Sequence, residues 1–186
     1  MNAPEGAGVM GRNTASVDAF ARLDVTEKCV AVRRRTCPIE VIRAGAQDES
    51  RYVRGTAVRN PNAPEEVIRQ GAGDEAWYVR QAAVLNPKAP VEVIAAGIGD
   101  NSPRVRVAAV GNPSAAVEVI AAGGRDRSPY VRRVAASNPH ISEEAAERLS
   151  RSKTPVIQQL LAKNPAVPER IRVVAAMRAG VLLGAT

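Results

Sequence analysis

The chain is poor in the residues that most often carry chemistry. Its 186 residues include one histidine, two cysteines, one tryptophan, one phenylalanine and three tyrosines. Cys29 and Cys37 are too few for a disulfide framework or for a four-thiolate metal or iron–sulfur site, so two reduced thiols are expected and no metal. Glycines are frequent, but they never form the phosphate-binding loop or the dinucleotide fingerprint that follows a strand, so no nucleotide or other cofactor is expected. No uncharged apolar stretch is long enough to span a bilayer. Residues 1–25 also lack the basic start and apolar run of a secretory signal, and a soluble cytoplasmic protein is expected. Aromatics make up 3% of the chain, so a core must be assembled from small side chains packed closely between helices. That suits a thin stack better than a thick globule.

What the chain has in place of such residues is a repeat. Tyr-Val-Arg begins at Tyr52, Tyr78 and Tyr130, with Arg104-Val105-Arg106 in the gap, a spacing of 26 residues each time. The frame runs without a gap through units at 26–51, 52–77, 78–103, 104–129, 130–155 and 156–181. It leaves residues 1–25 as an N-terminal extension that caps the stack or is partly disordered, and 182–186 as a tail. Ser102-Pro103, Ser128-Pro129 and Thr154-Pro155 start the first helix of a unit with a side-chain cap and a first-turn proline. Asn60-Pro61, Asn86-Pro87, Asn112-Pro113, Asn138-Pro139 and Asn164-Pro165 end it, because proline disfavours a helical residue before it and has no N–H to donate. A second helix starts near Pro38, Pro64 and Pro90 with Glu40, Glu66 and Glu92 at its positive end. Gly45, Gly71, Gly97 and Gly123 recur at its close, where a left-handed glycine is expected. Apolar residues recur in columns, among them Val53/Val79/Val105/Val131, Ala57/Ala83/Ala109/Ala135 and Ile42/Ile68/Ile94/Ile120, and these are the expected core.

With Val-Arg, Asn-Pro, Pro-x-Glu-Val-Ile and Asp at constant offsets, residues 26–181 resemble the leucine-rich repeat variant family of bacterial solenoids. The resemblance implies an all-α, right-handed solenoid of about six 26-residue units, in which short helices alternate and one row can be tight 3₁₀ in character. Members with an N-terminal cysteine cluster hold a four-iron cluster. Here the cysteines lie in the first repeat, and that cluster is not carried over. The chain also resembles HEAT repeats through Asp48 and Arg54, Asp74 and Arg80, Asp100 and Arg106, and Asp126 and Arg132, each pair six residues apart. The resemblance implies a structural ladder linking successive units. Asn60, Asn86, Asn112 and Asn138 are expected to satisfy turn amides, a second ladder rather than a row facing a ligand.

No nucleophile, base and orienting group stand out together. His140 falls on a turn column, and the paired carboxylates Glu65/Glu66 and Glu143/Glu144 are explained by their place at helix starts. The chain is therefore expected to bind rather than catalyse. Its net charge of +7 and pI near 10.1 favour an acidic partner. Departures from the repeat consensus mark the candidate contacts: Arg33, Arg34, Arg35, Arg43, Arg59 and Arg69 in the N-terminal half, and Arg125, Arg127 and Arg133 further on, together with Trp77 and Tyr78. Trp77, Tyr52, Tyr78 and Tyr130 either pack between units or stack a ligand beside these arginines. A protein partner is the leading expectation, with phosphate-backbone binding of nucleic acid as the alternative. Cys29 is the thiol expected to react, given the arginines near it, and Cys37 shares a column of small apolar residues. The apolar stretch from Val173 to Leu183 either closes the solenoid or joins two copies.

Overall fold

The computed structural model describes residues 16–180. Within them the chain is helical throughout: α1 (Val17–Ala21) and then six pairs, with no strand among the described residues. The first helix of each pair is α2 (Val25–Arg33), α4 (Arg51–Arg59), α6 (Trp77–Leu85), α8 (Pro103–Gly111), α10 (Pro129–Ser137) or α12 (Pro155–Lys163). The second is α3 (Ile39–Ala46), α5 (Glu65–Ala72), α7 (Val91–Gly97), α9 (Val117–Gly123), α11 (Glu143–Ser150) or α13 (Glu169–Ala179). Both rows are α-helical, so the 3₁₀ row that the resemblance allowed is absent from the described residues. Helices this short gain little from propensity and depend on stacking. Each packs on its partner and on the next unit, which makes a solenoid.

Local chemistry sets the boundaries. Asn60, Asn86, Asn112, Asn138 and Asn164 are the C-caps of the first-row helices, each with the proline after it. Ser102 caps α8 through its hydroxyl, while Ser128 and Thr154 stand at the same place without that bond. Pro38, Pro64 and Pro90 are N-cap residues, one position before the first helical residue.

The core is a continuous file of valine, alanine and isoleucine through the middle of the stack, and every column named above is buried in it. The glycines of the second row do a different job from the one expected. Among the described residues only Gly180, which closes α13, has a positive φ. Gly45, Gly71, Gly97 and Gly123 are right-handed helical residues set against a valine of their own unit. A Cβ on Gly71 would lie 2.6 Å from Val58 Cγ2, and one on Gly123 would lie 2.5 Å from Val110 Cγ2. Glycine is required there by the closeness of two helices, not by a turn.

First-row helices pack closely on their counterparts in the neighbouring units, whereas second-row helices touch theirs sparsely. The first row is therefore the more closely packed, inner side of the stack. At the N-terminal end α1 buries Phe20, and Leu23 follows it into the core. The rest of the N-terminal extension, residues 1–15, and the tail at 182–186 lie outside the described residues.

Candidate functional site

Positions one helical turn apart on the exposed side of the first row line two hollows, one on each side of α6. The first, of about 500 Å³, is lined by Cys29 and Arg33 of α2, by Tyr52, Gly55, Thr56 and Arg59 of α4, and by Tyr78 and Ala82 of α6, with Asn60 and Pro61 at its end. The second, of about 710 Å³, is lined by Gln81, by Pro103, Arg104 and Val107 of α8, by Tyr130, Arg133, Val134 and Ser137 of α10, and by Leu160. Four arginines and three tyrosines border these hollows, and no carboxylate does.

The aromatics are organised by their neighbours. Gly55 lets the Tyr78 ring lie against α4, since a Cβ there would meet the ring at 3.2 Å. Tyr78 stacks on Tyr52 with centroids 5.7 Å apart and planes 17° from parallel, and it meets Trp77 edge-on at 5.7 Å. Arg51 covers Tyr52 at 5.3 Å and Tyr78 at 5.9 Å, and Arg104 covers Trp77 at 4.5 Å. The Tyr78 hydroxyl is buried without a hydrogen-bond partner. Burial pushes this phenol up, against the lowering pull of Arg51 and Arg54, so it is a neutral donor at pH 7.

Two polar ladders hold the units that carry this face. In the asparagine ladder, the Asn86 amide donates to the carbonyls of Val58 (2.7 Å) and Asn60 (3.0 Å) in the unit before, while its oxygen accepts from Lys88 N–H (2.9 Å). Asn60 and Asn164 bond in the same way. Asn112 and Asn138 make the bond two units' ends share, to Val84 and Val110, and accept from Ser114 and His140 N–H.

In the charged ladder the carboxylate partners of Arg54, Arg80 and Arg106 lie 20 residues ahead, not six behind. Arg54 grips Asp74 with Nε (2.7 Å) and Nη2 (3.1 Å), Arg80 grips Asp100, and Arg106 grips Asp126. The residue six behind, Asp48 for Arg54, is met through its backbone carbonyl, which accepts from Nη1 (3.1 Å). Lys28 supplies the first rung to Asp48 at 2.7 Å. Burial raises the Asp74, Asp100 and Asp126 carboxyls. Hydrogen bonds from the arginine and from a backbone N–H two residues on outweigh it and hold them below the usual carboxylate range.

No family model matches the chain, and no curated protein matches it. Among solved structures, one described as a leucine-rich repeat variant with a novel repetitive protein structural motif superposes with a TM-score of 0.65. The match is at 21% identity and covers 87% of this chain and 69% of the other. The chain has the leucine-rich repeat variant fold.

Within that fold the basic residues of the N-terminal half divide between two faces. Arg33 and Arg59 come together in the inner hollow. Arg43 and Arg69 stand on second-row helices on the opposite side, tied to carboxylates of their own and the next unit: Arg43 to Glu66 at 2.9 Å, and Arg69 to Glu65 at 2.6 Å and to Glu92. Arg125 pairs likewise with Glu144 at 2.7 Å. These exposed pairs are screened by solvent and contribute little to stability, but they occupy arginines that the sequence pattern offers as partner contacts. Arg34 and Arg35 are exposed in the turn after α2, where their carbonyls accept from Asn60 and Asn62 side chains. Arg133 borders the second hollow, and Arg127 is exposed in the loop before α10.

His140 is an exposed turn residue. Cys29 and Cys37 are both half-buried and free, and Cys29 lines the first hollow. Burial pushes the Cys37 thiol up, with Arg34 opposing. On α13 Val174 and Met177 are exposed while Ala175 and Ala176 are core, and residues 181–183 of the apolar stretch lie outside the described residues. The described residues include no helix long and apolar enough to cross a membrane, and no cluster of three or more metal-ligating side chains. Arg51 and Arg104 are the contact residues that sequence reasoning missed. Their signal was present, since each sits within one residue of Tyr52 or of Trp77's column.

Proposed function

We propose that the chain is a non-enzymatic binding scaffold of the cytoplasm that seats an acidic segment of a protein partner along the inner, first-row face. The observation that carries this reading is the pairing of Arg33, Arg59, Arg104 and Arg133 with Tyr52, Tyr78 and Tyr130 on a concave surface that no lining carboxylate neutralises. Arginine and tyrosine are the residues that anchor protein interfaces. On the opposite face Arg43, Arg69 and Arg125 are already paired with glutamates. The same pairing argues against catalysis, because Glu65, Glu66 and Glu144 serve as salt-bridge partners at helix starts.

Nucleic-acid binding is the weaker reading because the aromatic faces of α4 and α6 are already in use. Tyr52 and Tyr78 lie on each other, Arg51 covers both, and Arg104 covers Trp77. Unpaired bases need open rings on which to stack.

The test is fluorescence polarisation with a labelled acidic peptide and with labelled single-stranded DNA, RNA and duplex DNA, at low and at near-physiological salt. The peptide should bind and retain affinity at the higher salt. The double variant R33Q/R59Q should weaken it about tenfold, which is about 1.4 kcal/mol, and Arg43→Gln on the outer face should leave it unchanged. Nucleic acid that binds more tightly than the peptide at physiological salt would reverse the order of the two readings.

A further inference from the structure

We propose a phosphate-binding site at the place where the charged ladder breaks, in the fifth unit, centred on the guanidinium of Arg132. It is independent of the inner-face reading, because Arg132 lines neither hollow.

The ladder defines what is missing. At each intact arginine rung Nη1 holds the two backbone carbonyls of the loop before its helix, which belong to the preceding unit, while Nε and Nη2 form a fork on the aspartate near the end of the arginine's own unit. Arg132 keeps the first half of this arrangement, donating from Nη1 to the carbonyls of Asp126 (2.7 Å) and Arg127 (3.1 Å). The aspartate column Asp48, Asp74, Asp100, Asp126 continues at residue 152 with serine. Ser152 keeps the turn, its Oγ accepting from Thr154 N–H at 3.2 Å as each aspartate accepts from the residue two ahead. It has no carboxylate to offer the fork. Among the described residues, nothing bonds Nε or Nη2 of Arg132. The group is half-buried and its orientation is set by the two carbonyls, so a planar fork is held in place with its acceptor absent.

The charge around the fork selects a phosphate over a carboxylate. The position after each ladder residue reads Glu49, Glu75 and Asn101 in the early units and then Arg127 and Lys153. Arg151 joins them on the other side of Ser152. None of the three forms a salt bridge among the described residues, and the carboxylate that Arg127 does act on, Asp126, is already gripped by Arg106. A monoanion on the fork would satisfy the hydrogen bonds and leave this charge unbalanced. A phosphate group carries about −1.5 to −2 charges and three acceptor oxygens, so it can meet the fork with two oxygens and the flanking cations with the remainder.

The test is thermal unfolding of the full chain titrated with inorganic phosphate, with acetate and with sodium chloride at matched ionic strength. Phosphate should raise Tm in a saturable way, by about 3–6 °C at a tenfold excess over its dissociation constant. Ser152→Asp should complete the rung, raise Tm by about 2–4 °C without phosphate and abolish the phosphate response. Arg132→Gln, which places at 132 the residue that stands at 158, should abolish the response without the gain. R33Q/R59Q should respond as the parent does. A flat titration, a response that survives both Ser152→Asp and Arg132→Gln, or an equal response to acetate would overturn the proposal.

Discussion

Replacing Gly123 by alanine separates two opposing effects that the fold brings to one atom. Gly123 is a buried, right-handed helical residue, so the exchange gains helix propensity of about 0.5–1 kcal/mol. The new methyl would lie 2.5, 2.9 and 3.3 Å from Val110 Cγ2, Cγ1 and Cβ. Those valine atoms are short and branched and cannot swing aside, so α8 and α9 must part. Overpacking of this kind costs about 1–3 kcal/mol. The net expectation is a loss of about 1–2 kcal/mol, or about 3–6 °C in Tm for a chain of this size. Gly111 makes the control. It is exposed at the end of α8, and a methyl there would touch only Val134 Cγ1, at an ordinary 3.4 Å. Gly111→Ala should therefore stabilise the protein, by up to about 1 kcal/mol. Urea and thermal melts of both variants, with Val110→Ala and the double variant G123A/V110A to close a cycle, give the sign and the coupling. The double variant should recover part of what Gly123→Ala loses. If Gly123→Ala stabilises as Gly111→Ala does, close helix approach is not what keeps glycine in that column.

Two further outcomes follow from the ladders. Asn86→Ala should cost about 1–3 kcal/mol, since it removes a buried amide from two carbonyls and strands Lys88 N–H. Asn86→Asp should cost more, because it turns a carboxylate towards those carbonyls, and chemical denaturation ranks the two. For pH, the Asp74, Asp100 and Asp126 carboxyls are depressed in the folded chain. Their contribution is present in full above the unfolded carboxylate pKa of about 3.9 and is lost as pH falls through the folded values. Melts below about pH 4 should show a steep fall in Tm that Asp100→Asn makes shallower, and an equal slope in that variant would contradict the assignment.

Much of the fold is legible in the sequence because the relevant forces are local. Asn-Pro steps end the first-row helices, prolines and glutamates start the second, and apolar columns at a constant period identify the core before any coordinate is known. The direction in which a column points is a different matter. Arg43 and Arg59 look like members of one basic cluster along the chain, yet they face opposite sides of the stack because they belong to different rows. Gly123 reads as a helix terminator until the distance to Val110 is measured.

The repeat also hides information by its own regularity. In a chain with a 26-residue period Asp74, Asp100 and Asp126 each have an arginine six residues after them and another 20 before, and both choices produce the same pattern of letters. The sequence by itself determined the unit, its boundaries and its buried positions, since these depend on backbone preference and hydrophobicity within one repeat. Only the tertiary structure decided which arginine each aspartate meets, which face the unneutralised arginines share and where a rung lacks its acceptor. Those depend on how far one unit is displaced from the next, and that displacement is set by the packing of helices in neighbouring units against each other.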